Sequence, residues 1–274
     1  MRTSTASGTD SPPRLSPFVR LSFAVHGLSA GALLLAPERW RAAVAAIAAN
    51  QLAITYGSVW PRSRLLGPNI ARLPGLPEAR VGLTFDDGPD PEVTPAVLDV
   101  LDRYGSTASF FCIGRRVEAH PEVAALVVAR GHRVENHSYS HPNGFAFRAP
   151  AGLDAEIGKA QDAIERATGQ RPAYFRAPVG IRNPWLDPCL TRAGLSLVSW
   201  TRRGFDTLRR DPAGVARRLS RRVRPGDILL LHDGSSAHTG SGRALVLEAL
   251  PRLLDALAER SLSAVCVPRP GATA

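Results

Sequence analysis

Thr84-Phe85-Asp86-Asp87-Gly88-Pro89 places two adjacent carboxylates where a short apolar run, Val81-Gly82-Leu83, should emerge from a core. Neighbouring side chains on an extended strand point to opposite faces, and Gly88-Pro89 then turns the chain into a loop. The two aspartates therefore meet different surroundings, and one can hold a metal while the other handles a proton. Asp-Asp-Gly-Pro also suits a solvated turn. What lies downstream has to separate the two readings.

From Val81 onward, short β-type runs alternate with helix-type runs, the pattern of a parallel sheet with helical crossovers. The spacing predicts seven strands, near residues 81–85, 107–113, 132–136, 173–176, 195–201, 227–231 and 263–267. Helices are expected near 95–104, 118–130, 153–168, 185–193, 212–223 and 243–260, with Gly105, Gly131, Gly169 and Gly194 just past helix ends, where a left-handed residue is wanted. Periodicity does not separate an open doubly wound sheet from a closed barrel. Polar placement says more: Asp86, Asp87, His137, Arg176 and His232 all fall at or just beyond the carboxyl ends of predicted strands, the face on which α/β barrels build sites. No glycine-rich phosphate fingerprint follows the first strand, so a nucleotide fold has little support.

His137-Ser138-Tyr139-Ser140-His141 sets two imidazoles four apart, on one face if the segment turns helically. With a carboxylate they would suit a divalent ion that keeps positions open for water and substrate; alone they could be a surface pair. Arg176-Ala177-Pro178-Val179-Gly180 puts an arginine at a strand end before a rigid turn, where it could also pair with a surface acid. Ile228-Leu229-Leu230-Leu231-His232-Asp233 is an apolar strand ending in His-Asp, and a satisfied core-edge histidine is the plain alternative there.

Taken together, these motifs resemble those of the polysaccharide deacetylases with a NodB homology domain, carbohydrate esterase family 4. The resemblance runs from about Val81 to Val267, about two thirds of the chain. TFDDGP is intact at Thr84 to Pro89, and H-S/T-x-x-H at His137 to His141. R-x-P-aromatic-G is present with Val179 in the aromatic place, and L-x-H is Leu230-Leu231-His232. The resemblance implies a distorted (β/α) barrel and a metal-dependent hydrolase that removes N-acetyl groups from an amino-sugar poly- or oligosaccharide, or a glycan precursor, by attack of metal-bound water.

Carried over residue by residue, it makes Asp87, His137 and His141 ligands of one divalent ion, zinc first, with cobalt, manganese or nickel as alternatives. Asp86 would be the base, Arg176 would hold it ionised and oriented, and His232 would donate a proton to the departing amine. The oxyanion donor would be the backbone N–H of Val179. One motif departs. The family usually places an aspartate three residues after the fifth-strand tryptophan to tune the acid histidine; here Trp200 is followed at that place by Arg203, and Asp206 is the nearest carboxylate that could substitute.

The 274 residues carry a formal charge of +10, almost entirely through arginine, since Lys159 is the only lysine. No basic-aromatic stripe or nucleic-acid motif accompanies that charge, and no nucleic-acid partner is expected. Cys112, Cys189 and Cys266 lack metal-type spacing and read as small core hydrophobes.

Residues 1–17 read as a disordered tail rich in Ser, Thr and Pro. Residues 18–60 hold two apolar runs, Leu21 to Ala36 and Ala42 to Trp60, around the polar knot Pro37-Glu38-Arg39-Trp40-Arg41. They predict a transmembrane helical hairpin in contact with membrane lipid, with Trp40 and Trp60 at the interfaces; core helices or a cleaved signal are the other readings. Arg14 and Arg20 before the hairpin, and Arg62, Arg64 and Arg72 after it, place both flanks and the catalytic domain on the cytoplasmic side of the cell membrane. Residues 61–79 read as an irregular linker, 80–268 as the deacetylase domain and 269–274 as a tail. Two other functions stay open: an amidase of this fold acting on a non-sugar amide, and a catalytically silent, membrane-anchored glycan-binding protein.

Overall fold

The computed structural model of the protein describes residues 15–73 and 79–269. Most of the expected N-terminal tail, part of the expected linker and nearly all of the C-terminal tail lie outside the described residues.

Two long helices, α1 (Pro17–Leu35) and α2 (Trp40–Val59), come first, joined through a single 3-10 turn at Pro37–Arg39. The barrel then runs β1 (Arg80–Asp86), α3 (Val93–Arg103), β2 (Ser109–Cys112), α4 (Gly114–Ala119), α5 (Pro121–Ala129), β3 (Arg133–Asn136), α6 (Pro150–Thr168), β4 (Tyr174–Phe175), α7 (Leu186–Arg192), β5 (Ser196–Leu197), β6 (Arg202–Arg203), α8 (Pro212–Ser220), β7 (Ile228–His232), α9 (Leu245–Ala258) and β8 (Ser263–Val265). Every strand pairing is parallel, in the order β5-β4-β3-β2-β1-β7-β6, with β8 beside the start of β1.

The expected α/β barrel of about seven strands is therefore present. The eighth segment, β6, lies just past the predicted strand at 195–201, which holds only β5. β5 pairs with β4 and β6 pairs with β7, so one short stretch of chain supplies both edges of the curled sheet. Ile70 lies beside the end of β5, its N–H donating to Leu197 O at 2.9 Å while its carbonyl accepts from Ser199 N at 2.9 Å. Residues 61–73 thus contain no helix or strand but are stitched into the wall; Leu66 and Leu73 are buried. The helix expected at 118–130 is split, because the chain leaves helical geometry at His120 before Pro121, and the residue preceding a proline is disfavoured in the α region. Gly105, Gly131, Gly169 and Gly194 all take positive φ.

Strand alternation sorts the residues of β1. Val81, Leu83 and Phe85 join the large apolar layer between strands and helices. The intervening Thr84 and Asp86 meet Arg176, whose ring-stacking partner Phe111 belongs to the smaller apolar cluster with Leu73, Tyr174, Trp200 and Ile228. β1 thereby delivers one carboxylate to the mouth of the barrel from inside.

In α1 and α2 the burial is inverted. The buried residues are mostly small or polar, Ser22 and Ser29 on α1 and Ala43, Asn50 and Gly57 on α2, each set recurring every seven positions; Gly57 packs on Leu65 and Leu66. Asn50 Nδ2 donates to Ser22 Oγ at 2.6 Å between the helices. Leucines point outward, Leu35 being 89% exposed. Both helices are long and apolar enough to cross a membrane.

Candidate active site

Asp86, Asp87, His137, His141, Val179, Gly180, Trp200, Arg203, Thr207, Leu230 and His232 line one pocket of about 190 Å³ at the carboxyl ends of the strands. Of the residues singled out in the sequence, only Arg176 and Asp206 do not line it. Each stands behind a residue that does.

Arg176 is 1% exposed. Its Nη1 donates to Asp86 Oδ1 at 2.6 Å and to Thr84 Oγ1 at 2.9 Å, its other nitrogens reach Val198 O and Ser199 O, and its guanidinium lies 4.0 Å from the Phe111 ring centroid. A buried charge held this way is fixed in angle as well as position. Asp206 is fully buried and does the same for the opposite wall: its Oδ2 accepts the His232 backbone N–H at 2.7 Å, and its Oδ1 lies 3.0 Å from His232 Nδ1. Burial opposes a charged His232, yet the hydrogen bond and charge of Asp206, with Asp86 and Asp87 beyond, raise its pKa above the ordinary histidine value. Arg203, standing where the family keeps its aspartate, lies over the Trp200 and Phe205 rings.

His137 and His141 do not converge by a helical turn, as their spacing suggested. The segment is a tight loop with positive φ at Ser138 and His141. Asn136 Oδ1 accepts the Ser138 N–H, Ser138 Oγ accepts the His141 N–H, and Glu156 from α6 accepts the N–H groups of Tyr139 and Ser140. The ring centroids end 4.9 Å apart.

Asp87 also takes a left-handed φ, which swings its carboxylate toward the two imidazoles. Its Oδ1 lies 3.3 Å from His137 Nε2 and 3.4 Å from His141 Nε2, is buried, and has no hydrogen-bond partner among the described residues. His137 Nδ1 sits 2.8 Å from Arg176 O; a carbonyl only accepts, so Nδ1 carries the proton and the Nε2 lone pair faces Asp87. An imidazole lone pair and a carboxylate oxygen so placed call for a cation between them. The three donor atoms lie within 4.8 Å of one another, which fits a divalent ion.

Sequence reasoning passed over four supports of this site. Asn136 and Asp233 adjoin motif residues and could have been singled out on that ground; Asp233 Oδ2 accepts from Thr94 at 2.5 Å and underlies Gly88, where a Cβ would meet that carboxylate. Glu156 and Ser235, the latter donating to Asp87 Oδ2, arrive from other elements and left no local signal.

Comparison with known proteins agrees with this geometry. A family model described as polysaccharide deacetylase matches residues 75–198. The chain is 38% identical over 187 residues to a chitooligosaccharide deacetylase of Bradyrhizobium sp. (strain ANU 289), covering 66% of this chain and 85% of the relative. It is 32% identical over 192 residues to a peptidoglycan-N-acetylglucosamine deacetylase of Bacillus cereus, covering 69% and 87%. A family 4 carbohydrate esterase from Streptomyces lividans, solved in complex with acetate, superposes with a TM-score of 0.62 at 33% identity over 68% of this chain and 91% of that one. The chain thus belongs to the polysaccharide deacetylases of carbohydrate esterase family 4, hydrolases of carbon–nitrogen bonds.

Proposed function

We propose that the domain at residues 80–268 removes N-acetyl groups from an amino-sugar oligo- or polysaccharide, or a glycan precursor, with one divalent ion held by Asp87, His137 and His141. The observation that carries this reading is the unpartnered, buried Asp87 Oδ1 facing two imidazole nitrogens. Zinc suits the set best, with cobalt, manganese or nickel as alternatives. When bound, the ion supplies a lowered pKa for water and positive charge beside the acetyl carbonyl.

The chain's own residues handle the protons. Asp86, clamped by Arg176, accepts one from the attacking water as the oxygen–carbon bond forms. His232, its Nδ1 engaged by Asp206, presents Nε2 to the sugar nitrogen and donates a proton as the carbon–nitrogen bond breaks. Acetate and a sugar ammonium result. Charge on the acetyl oxygen falls to the backbone N–H of Val179, whose half-exposed side chain shapes the pocket wall without entering that role.

The hairpin at residues 18–60 anchors this domain in the membrane, and residues 61–79 join the two. Small and polar residues between the helices with leucine outside are what a lipid solvent selects. The arginine bias of the flanks puts the domain on the cytoplasmic side. Carbonate washing tests the anchor: release of intact protein into the supernatant overturns it. A topology reporter fused after Ala274 tests the side.

Acetate release from N-acetylated chitooligosaccharides should stop with chelator and return with the ion, and His141→Ala should purify with much less metal. Acetate from simple acetamides alone would favour the non-sugar amidase, and no acetate from any amide with the ion loaded would favour the silent glycan binder.

A further inference from the structure

Arg182 follows the pocket wall by two residues and is buried. Its backbone N–H donates to Ser58 O of α2 at 3.2 Å, and its guanidinium donates to Gly57 O at 2.7 Å and Ser63 O at 3.1 Å. A cation on the last carbonyls of a helix satisfies groups that would otherwise be orphaned there. Gly180 lines the pocket, and two residues of chain reach at most about 7 Å. The end of the anchor is therefore fastened to the wall of the site, which sits at a fixed height and does not swing on a tether.

The loops beside that junction carry exposed apolar side chains. Phe147 is 92% exposed, and Val179, Ile181 and Trp185 are each more than a third exposed. Asn183 binds the two loops together, donating to Ala146 O and Arg148 O. Trp185 packs on Phe23 of α1 with ring centroids 5.9 Å apart, so this apolar rim is continuous with the outward face of the hairpin. A rim of this kind seats in a bilayer interface.

A second cleft, of about 800 Å³, adjoins the catalytic pocket and shares Arg203 with it. It is lined by eight arginines; Arg202 is paired with buried Asp227 and Arg217 with Asp211, and the other six have no carboxylate partner among the described residues. Thr201, also in its lining, accepts at its carbonyl from Arg62, which lies just past the end of α2. So many like charges in one concavity repel one another unless an anion joins them, and guanidinium groups match phosphate oxygens in a bidentate manner.

We propose that the amino sugar deacetylated here is carried on a membrane lipid through a phosphate, the lipid lying in the bilayer under the apolar rim and the phosphate in the arginine cleft. This rests on the deacetylase and membrane-anchor readings above. Water adds to the acetyl carbon, the carbon–nitrogen bond breaks to give acetate and the sugar ammonium, and the phosphoester is untouched.

Full-length protein in phosphatidylcholine vesicles, loaded with the divalent ion, is offered N-acetylglucosamine linked by phosphate to a long isoprenyl chain. The comparison substrates are the same sugar on an uncharged lipid and soluble chitotetraose. The phosphate-linked lipid should have a kcat/KM at least 10-fold above both, and Arg209→Glu with Arg221→Glu should reduce that ratio at least 10-fold. Equal kcat/KM for all three overturns the proposal, while acetate from chitotetraose leaves the deacetylase reading standing. A preference that appears only when phosphatidylglycerol is added, and equally for the uncharged lipid, assigns the cleft to bulk headgroups and overturns it as well. No acetate from any substrate overturns both this proposal and the reading beneath it.

Discussion

The two ends of the barrel use the same strands differently. At the closed end Gly82 of β1 sits beside Leu73 and Ile228, so close that a Cβ would stand 2.9 Å from Leu73 Cδ1. At the open end of the same strand Asp86 meets Arg176, and the chain then enters the left-handed region at Asp87. Ser138, His141 and Val179, also at the open end, share that conformation. Each such non-glycine residue costs on the order of 1–3 kcal/mol and persists only where its surroundings fix it. Left-handed residues occur at the closed end too, at Ala79, Arg222 and Ser261, and buried Asp227 is paired there with Arg72 and Arg202. What sets the open end apart is that such residues aim titratable side chains into one pocket.

The largest expected effect would show that division crossed. Asp86→Asn removes the proton acceptor, so turnover should fall by roughly 10²-fold or more, with bound metal retained. It also removes the one anion paired with the buried Arg176 among the described residues, and breaking a buried pair typically costs about 3–5 kcal/mol. Adding Arg176→Met should return most of that stability and none of the turnover. Chemical denaturation of the single and double variants, read beside acetate release, checks both halves; recovery of turnover in the double variant would remove Asp86 from the mechanism.

Asp206→Asn should act on the chemistry through pH. His232 has its pKa raised in the fold, so its imidazolium, the acid form, persists to higher pH and is lost as pH rises through that value. With the Asp206 charge gone, the burial that opposes the imidazolium is less well countered, and the alkaline limb of kcat should move to lower pH. At a fixed pH on that limb the rate should drop by roughly 10-fold for every pH unit the limb moves. His232→Ala should abolish the limb. A pH–rate profile for Asp206→Asn that overlays the wild type would leave the Asp206–His232 contact a structural one.

How far the sequence could carry these assignments follows the same division. The open end was legible because its residues cluster in short motifs at strand ends, where apolar runs stop abruptly at charge: TFDDGP, His137 to His141, Arg176, and His232 after three leucines. Asp206 could be singled out only because a usual aspartate was absent and a carboxylate lay nearby. The separate strand β6 was not legible, since pairing is decided across the sheet and Arg202-Arg203, just past the predicted strand at 195–201, carries no β-type pattern of its own. Neither was Glu156, which reaches the metal-side loop from a helix 16 residues away. The break at Pro121 carried a local signal and was read through. The helical condition attached to His137 to His141 is not met, because side chains and not i-to-i−4 bonds hold that turn, yet the two rings still converge.

At the closed end the expected effects are smaller and fall on stability. Gly82→Val should push against Leu73 and Ile228, overpacking that typically costs about 1–3 kcal/mol, and the melting temperature should fall by several degrees. Turnover per folded molecule should stay within about twofold, since the substitution is four residues from Asp86 along β1. A large loss of turnover at full stability would mean that the two ends are mechanically coupled.

The smallest effect tests the closed end through pH. His132, at the start of β3, is buried; its Nδ1 accepts the Ala108 N–H at 3.2 Å, and its Nε2 has no partner among the described residues. Burial lowers its pKa from 6.5 to about 4. Protonation would place a charge in this setting and turn the acceptor at Nδ1 into a donor facing another N–H. Because the folded-state pKa lies below the unfolded value, the contribution of His132 to stability is complete above about 6.5 and is lost as pH falls toward about 4. His132→Asn keeps an acceptor for Ala108 through Oδ1 and removes the titration. Between pH 7 and pH 5 the wild type should therefore lose roughly 2 kcal/mol more stability than the variant, a difference of a few degrees in melting temperature. Parallel curves for the two proteins across that range would show that His132 charges without penalty, and that the closed end is wetter than its burial indicates.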